Sequence, residues 1–277
     1  MPQEYLNKKV NLNDPDLAQV FDETSLWGAY FGRLLLENVP LKSGLNVLDV
    51  GCGTGFPLFE LAHQLGPTAK LTGIDIWEPA LKRANFKKEY YGLKNVTILK
   101  VDASTMPFEN NQFDLITSNL GINNFEQPQK ALDECFRVLK PGGEIIITTN
   151  TVGHMQLFYS IYEAVLKDSD RENLIPELRK QEAHRKTVEE ITRMFQKSGF
   201  QIVKTIKENL TLRYLDGSSF LRHSLSILGF LEGWRSILKK EEETIIFKKL
   251  EEMLNAQASK DGELRFNIPM LLVLATK

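Results

Sequence analysis

Short apolar runs alternate with amphipathic stretches along the first 150 residues. Five runs rich in β-branched residues each end at a turn or polar residue, as buried strands do: LNVLDV (45–50), KLTGID (70–75), VTILKV (96–101), FDLITS (113–118) and GEIIITTN (143–150). Helical patterns lie between them, at 56–66, 78–92 and 128–140. This alternation predicts an α/β fold, a parallel sheet with crossover helices, whose functional groups lie at the carboxyl ends of the strands.

The pattern changes after residue 150. We expect helices at 153–183 and 187–198, a strand at 200–207, a mostly helical stretch at 216–258 and a last strand at 266–276. A further helix is predicted before the first strand, at 26–39. The interpretation is a single domain made of six segments of four kinds: an N-terminal helical extension (1–40), a core (41–150), helical cap insertions (151–185 and 208–262) and the end of the core sheet (186–207 and 263–277).

Composition narrows the class of protein. The chain is 42% hydrophobic and 25% charged with a net charge of −2, so it lacks the strong positive field that favours nucleic acid. The N-terminal stretch MPQEYLNKKV has no apolar core of signal-peptide length, and no run approaches the length of a membrane span. Cys52 and Cys135 are far apart and outside any CxxC motif, so we predict no disulfide, no metal site and a reducing cytoplasm.

The stretch VLDVGCGTG (47–55) places three glycines between a strand and a helix. A dinucleotide fingerprint needs its third glycine where this chain has Phe56, and no Gly-Lys-Ser/Thr of a phosphate-binding loop is present. A tight structural turn would also use glycine. Asp75 and Asp102 end the next two strands, where they could accept ribose hydroxyls and an adenine amino group, or form turns.

Five motifs in order resemble those of class I S-adenosylmethionine-dependent methyltransferases: VLDVGCGTG, GIDIWEPAL, VDASTMPF, FDLITSNLGINNF and RVLKPGGEIIIT. The small-molecule branch that includes quinone-biosynthesis methyltransferases (methyltransferase type 11) is the most similar in style. The resemblance implies a Rossmann-like, doubly wound, seven-stranded sheet with strand order 3-2-1-4-5-7-6 and an antiparallel last strand. It implies S-adenosyl-L-methionine as cofactor and S-adenosyl-L-homocysteine as product.

The resemblance also implies roles for individual residues. The glycine loop would pass under the methionine part of the cofactor, and Asp49 would meet its amino group. Asp75 would bind the ribose, Ile76 would pack on the adenine, and Asp102 with the Ala103 backbone would meet the adenine edge. The end of the fourth strand would line the floor below the methyl group. The expected cofactor-binding set is Trp27, Asp49, Gly51, Cys52, Gly53, Gly55, Asp75, Ile76, Asp102, Ala103, Ser118, Asn119 and Leu120.

No catalytic residue follows from the sequence. In-line methyl transfer needs a general base only when the nucleophile starts protonated. His154 follows the fifth strand and is the best-placed candidate base, although a structural role is the alternative. We expect solvated or structural roles for His63, His184 and His223.

The acceptor is expected to be a small molecule, because the motifs of DNA amino-methyltransferases, cytosine C5-methyltransferases and thiol-dependent arsenic methyltransferases are absent. Six aromatic residues could line an apolar acceptor pocket or form ordinary core: Phe125, Phe158, Tyr159, Tyr162, Phe220 and Trp234. A catalytically silent cofactor-binding protein and an NAD(P)-dependent oxidoreductase remain alternative functions. Assembly as a homodimer is left open.

The N-terminal extension has two interpretations. Trp27, Tyr30 and Phe31 fall on one helical face, and Tyr5 precedes them. That face either packs on the flanking helices of the sheet or closes over the cofactor as a lid, with Trp27 or Tyr30 near the methionine end.

Overall fold

The computed structural model describes residues 3–24, 26–183 and 185–277, without the side chains of 22–24 and 26. Within them, seven strands form one sheet in the order β3-β2-β1-β4-β5-β7-β6. The strands are β1 (Asn46–Val50), β2 (Lys70–Asp75), β3 (Val96–Lys100), β4 (Phe113–Asn119), β5 (Leu139–Asn150), β6 (Gln201–Tyr214) and β7 (Leu264–Thr276). Strands β1 to β5 pair in parallel and β7 pairs antiparallel with β5, which confirms the predicted fold class.

Twelve α-helices connect the strands in the described residues. The first eight are each at least eight residues long: α1 (Pro15–Thr24), α2 (Leu26–Leu36), α3 (Leu58–Leu65), α4 (Glu78–Tyr91), α5 (Pro128–Val138), α6 (Gln156–Asp168), α7 (Ile175–Glu182) and α8 (Val188–Lys197). The remainder are α9 (Gly217–Arg222), α10 (Ser224–Gly229), α11 (Leu231–Arg235) and α12 (Lys240–Asp261).

The chain separates into two compact units. The sheet unit comprises residues 11–150, 187–208 and 270–277, and the helical unit comprises 3–10, 151–186 and 209–269. The expected division of a single domain into an extension, a core and cap insertions stays a prediction. Residues 3–10 belong to the helical unit, whereas α1 and α2 belong to the sheet unit.

Each unit has its own apolar core. In the sheet unit, Leu48, Ile116 and Ile145 of adjacent strands are fully buried and pack with Phe195 of α8. In the helical unit, the Phe158 and Trp234 rings lie 4.1 Å apart, and Phe220 lies 4.4 Å from Phe266. Burying such side chains gives each unit a stabilising free energy of about 2 kcal/mol per large apolar side chain.

Several boundaries differ from the expected ones for local reasons. The predicted helix at 153–183 is two helices, because Asp170 adopts a left-handed conformation (φ 55°) that ends α6, and Pro176 starts α7. Helix α5 ends at Val138 because Leu139 is already extended, so β5 begins four residues before Gly143. Strand β6 continues to Tyr214, seven residues beyond its predicted end at 207.

Candidate functional site

The glycine loop between β1 and α3 is held by backbone hydrogen bonds. The N–H groups of Gly51 and Cys52 both donate to the Ile74 carbonyl, at 2.8 and 3.0 Å. Gly51, Gly53 and Gly55 have φ values of 79°, 52° and 102°, a region that costs other residues about 1–2 kcal/mol. A Cβ on Gly55 would lie 2.0 Å from the Phe59 ring, whereas a Cβ on Gly53 would meet no atom within 4 Å. The loop is therefore closely packed at Gly55 and open at Gly53.

Asp75, at the carboxyl end of β2, is tied to this loop. Its Oδ2 accepts the Gly53 N–H at 2.8 Å and its Oδ1 accepts the Trp77 N–H at 2.9 Å. An ionised carboxylate offers about four lone-pair sites, so acceptor capacity remains on both oxygens. The next residue, Ile76, leaves 60% of its surface exposed, which places an apolar side chain beside the remaining acceptors.

Asp49 is a buried carboxyl group at the end of β1. Its Oδ1 accepts the Thr117 hydroxyl at 2.8 Å, while its Oδ2 is buried without a hydrogen-bond partner among the described residues. Burial raises the pKa of Asp49 to about 7; the Thr117 hydrogen bond opposes this rise and the charge of Asp75 adds to it. A buried acceptor without a donor is costly, so Asp49 is suited to a cationic donor from a ligand.

The polar side chains at the end of β4 form hydrogen bonds within the protein. The Ser118 hydroxyl donates to the Val50 carbonyl at 2.6 Å. The Asn119 amide donates to the Gly28 carbonyl at 3.0 Å and its oxygen accepts the Thr148 hydroxyl at 2.7 Å. Leu120 has a left-handed backbone (φ 63°), a strained conformation of the kind that clusters at functional sites.

The end of β3 contains a turn. The Oδ1 atom of Asp102 accepts both the N–H and the hydroxyl of Ser104, at 2.7 and 2.8 Å, and Ala103 is buried. Asp102 is exposed and forms this turn, so its contact with an adenine stays a prediction.

Cys52 is buried beside β2. A Cβ on Gly73 would lie 2.9 Å from its Sγ, so the thiol packs against β2. Burial raises the pKa of the Cys52 thiol well above its ordinary value, so the group is a packing residue and not a thiolate nucleophile.

The N-terminal helices contact the carboxyl-end residues of the sheet unit. The Trp77 indole donates to the Leu12 carbonyl at 2.6 Å, and the Phe21 ring lies 4.9 Å from the Trp77 ring. Trp27 is half-buried, with its ring 5.5 Å from that of Phe31. The three aromatic residues predicted on one face of α2 differ in burial, since Phe31 is fully buried and Tyr30 is 45% exposed.

The histidines occupy different settings. His154 is buried in the helical unit, with the Tyr159 ring 5.7 Å away. His223 accepts the Leu225 N–H through Nδ1 at 3.2 Å and so caps α10. His63 is exposed on α3 beside Tyr91, and His184 lies outside the described residues.

The six candidate pocket aromatics divide into three groups. Phe158, Tyr162 and Phe220 are fully buried among other rings of the helical unit, as ordinary core would be. Tyr159 and Trp234 line a cavity of that unit. The sixth, Phe125, packs in the sheet unit, 3.5 Å from where a Cβ on Gly51 would lie.

Two residues of the site were missed by the sequence reasoning. Thr117 was interpreted only as part of a strand, although a buried aspartate such as Asp49 requires a donor. Trp77 follows Asp75 and Ile76 directly, but its hydrogen bond to Leu12 spans 65 positions, so no local sequence pattern could predict it.

Comparison with known proteins places this geometry in a family. The model of a methyltransferase domain matches residues 41–210, more than half of the chain. The chain belongs to this methyltransferase-domain family. The matched range contains the glycine loop, Asp49 and Asp75, and the match confirms the resemblance found in the sequence.

Individual curated relatives of this methyltransferase-family protein share about a third of the aligned residues with it. A demethylmenaquinone methyltransferase of Lactococcus lactis subsp. lactis (strain IL1403) is 34% identical over 148 residues, covering 53% of this chain and 57% of that protein. The chain thus spans little more than half the length of the curated relatives it matches.

Solved structures share the fold. A SAM-dependent methyltransferase from Aquifex aeolicus has a TM-score of 0.54 at 24% identity, over 70% of this chain and 92% of its own. A [4+2]-cyclase has a TM-score of 0.57 at 19% identity, over 90% of this chain and 80% of its own. In the described residues of the present protein, no helix combines the length and apolarity needed to cross a membrane.

Proposed function

We propose that the protein is an S-adenosylmethionine-dependent methyltransferase acting on a small, apolar or aromatic molecule. The observation that carries the proposal is the pair of carboxyl groups at the glycine loop. Asp49 presents a buried, unpartnered oxygen, and Asp75 keeps free acceptor sites while bonded to Gly53. Family membership over residues 41–210 supports the same function.

The residues present fit the chemistry of this cofactor. Its ammonium group would give Asp49 the cationic donor that Oδ2 lacks, and its ribose hydroxyls would donate to Asp75. The exposed side chain of Ile76 offers an apolar surface for the adenine face, and the open position at Gly53 admits a close approach to the backbone. When bound, the cofactor supplies an electrophilic methyl group on a sulfonium.

The chain's own residues would then bind, orient and exclude water. Asp75 holds the glycine loop in place through Gly53, so the position of the reacting end is set by a rigid element. The hydrogen bonds of Asn119 to Gly28 and of Trp77 to Leu12 attach the N-terminal helices, which would limit access of water. No side chain is assigned as general base, and His154 remains a candidate only.

Thermal stability and methyl transfer test the proposal together. S-adenosylmethionine and S-adenosylhomocysteine should raise the Tm, because a ligand selective for the folded state stabilises it, and NADH should not. Transfer of labelled methyl to a panel of acceptors, with demethylated quinones included because of the L. lactis relative, then tests catalysis. A Tm shift with NADH alone would overturn the assignment in favour of an oxidoreductase.

A second candidate function is cofactor binding without methyl transfer. This candidate is kept because a shared fold does not fix an activity, and a [4+2]-cyclase is among the solved structures with this fold. A clear Tm shift without turnover on any acceptor would support this candidate. Neither the Tm measurement nor the turnover assay addresses the predicted cytoplasmic location or the possible homodimer.

A further inference from the structure

A cavity of about 100 Å³ lies within the helical unit, apart from the glycine loop in sequence. Its wall comes from the turn before α6, from α6 and α7, from the segment after α7, and from α10 and α11. The side chains that line it are His154, Tyr159, Gln181, Arg185, Phe230 and Trp234. Gly229 of α10 and Gly233 of α11 complete the wall, and neither has a side chain to fill the cavity.

Arg185 is the cation of this cavity, and its charge is not neutralised by the described residues. Its Nε is buried without a hydrogen-bond partner, and no ion pair of its guanidinium occurs in the described part of the chain. Burial lowers the pKa of Arg185, and its interaction with Tyr159 opposes this effect. Glu182 lies within electrostatic range of Tyr159 but does not line the cavity. A partly buried, unpaired guanidinium is unfavourable, so an anion is expected to complete it.

The rest of the lining is rich in donors and in ring surface. Tyr159 accepts the Trp234 indole N–H at 3.4 Å, and its own hydroxyl donates to no described residue. The Phe230 and Trp234 rings are stacked at 5.6 Å with planes 12° apart. Two donor groups and a flat apolar wall suit a ligand with an anionic end and a hydrocarbon part.

The turn that carries His154 is held rigidly. Gly153 and Met155 have φ values of 88° and 52°, and a left-handed conformation at a buried methionine is strained. Strand β7 fixes the turn, because the N–H groups of Thr151 and Met155 donate to the carbonyls of Pro269 and Asn267, at 3.1 and 3.0 Å. A strained turn fixed from outside keeps the cavity wall in place before a ligand binds.

We propose that this cavity binds a small carboxylate, whose oxygens pair with Arg185 and the Tyr159 hydroxyl and whose carbon chain lies on the Phe230–Trp234 ring pair. A guanidinium fork matches the two oxygens of a carboxylate. A cavity of about 100 Å³ takes the volume of roughly three waters, which suits a carboxylate with a short carbon chain. The proposal does not depend on methyl transfer.

Calorimetric titration of the full chain with butyrate, butyramide, butylamine and inorganic phosphate tests the proposal. Butyrate should bind saturably, and its neutral and cationic analogues should not. Arg185→Gln should weaken butyrate binding by at least about tenfold, the usual effect of removing a charged hydrogen-bonding partner. The matched control is Arg213→Gln, because Arg213 is an exposed arginine of the same unit already paired with Glu263, and it should bind butyrate like the parent.

A second measurement separates a binding role from a structural one. Without ligand, Arg185→Gln should keep or raise the Tm, since it removes an unpaired charge; a residue kept for structure would lower the Tm when replaced. Absence of saturable butyrate binding, equal binding of butyramide, tighter binding of phosphate, or full binding by Arg185→Gln would each overturn the proposal. Binding of S-adenosylmethionine is measured independently, so either proposal can fail alone.

Discussion

The Asp75 carboxylate accepts the backbone N–H of Gly53 at 2.8 Å, which joins the end of β2 to the glycine loop after β1. Its other oxygen accepts the N–H of Trp77 at 2.9 Å, so the residue organises the loop and the start of α4 together. A ligand that binds Asp75 therefore meets a site whose backbone is already fixed.

Replacing Asp75 by Ala should weaken S-adenosylmethionine binding by about 1.5–3 kcal/mol, since hydrogen bonds to a charged group and the support of Gly53 are lost together. Asp102→Ala should have a smaller effect, because Asp102 is exposed and its Oδ1 is already used by Ser104. Titration calorimetry measures both. The control is Asp114→Ala, which also removes an acceptor of a backbone N–H, that of Asn46, at the start of β1. Equal binding by Asp75→Ala and the parent would make Asp75 a turn former only.

A pair of glycine substitutions separates backbone strain from ligand contact. Gly53→Ala and Gly44→Ala both place a side chain at positive φ, 52° and 75°, with no atom within 4 Å of the new Cβ. Both should lower the free energy of unfolding by about 1–2 kcal/mol. Gly53→Ala alone should also weaken cofactor binding, because its methyl group fills the opening of the loop. If Gly44→Ala weakened cofactor binding as much as Gly53→Ala, the weaker binding would be due to general destabilisation and not to the methyl group at position 53.

The raised pKa of Asp49 predicts a pH-dependent stability without cofactor. The folded-state pKa of about 7 exceeds the ordinary 3.8, so between these values the folded protein holds a proton that the unfolded chain lacks. The free energy of unfolding should therefore fall as the pH rises from about 4 to about 7. Asp49→Asn should flatten this slope and leave the protein more stable than the parent at pH 8. Denaturant titrations at several pH values measure it, and an unchanged slope would contradict the prediction.

The same group predicts a proton release on binding. A cationic ligand group beside Oδ2 lowers the pKa of Asp49, so near pH 7 cofactor binding should release a fraction of a proton. Calorimetry in two buffers of different ionisation enthalpy measures that fraction. It should vanish in Asp49→Asn, and release that persists in this variant would assign the proton to another group.

Hydrogen exchange tests the N-terminal lid. If residues 11–40 close over the cofactor, their amides should exchange more slowly when it is bound. Trp77→Phe removes the indole N–H that donates to the Leu12 carbonyl, so it should speed exchange around Leu12 in both states. Deleting residues 1–30 should leave weak cofactor binding and poor turnover. Equal protection with and without cofactor would make this segment scaffold.

Much of the sheet unit was predictable because its signals are local. Strands β1, β2 and β4 were placed within one residue at either end, because each is a short, mostly buried run bounded by turn or polar residues. The glycine loop was predictable because its backbone conformation needs glycine at Gly51, Gly53 and Gly55. The strand order came from family resemblance, since no local pattern encodes which strands are neighbours.

The remaining features depend on contacts between residues distant in sequence. Asp49 meets Thr117 across 68 positions, and that meeting exists only because β1 and β4 are neighbours in the sheet. Among the described residues Arg185 has no anionic partner for the same kind of reason, because its cavity is lined mainly by aromatic side chains from distant positions, Tyr159, Phe230 and Trp234. The strand and helix alternation and the family can be inferred from the sequence alone. The tertiary structure decided the state of each buried charge, because desolvation and pairing depend on the neighbours that folding brings together.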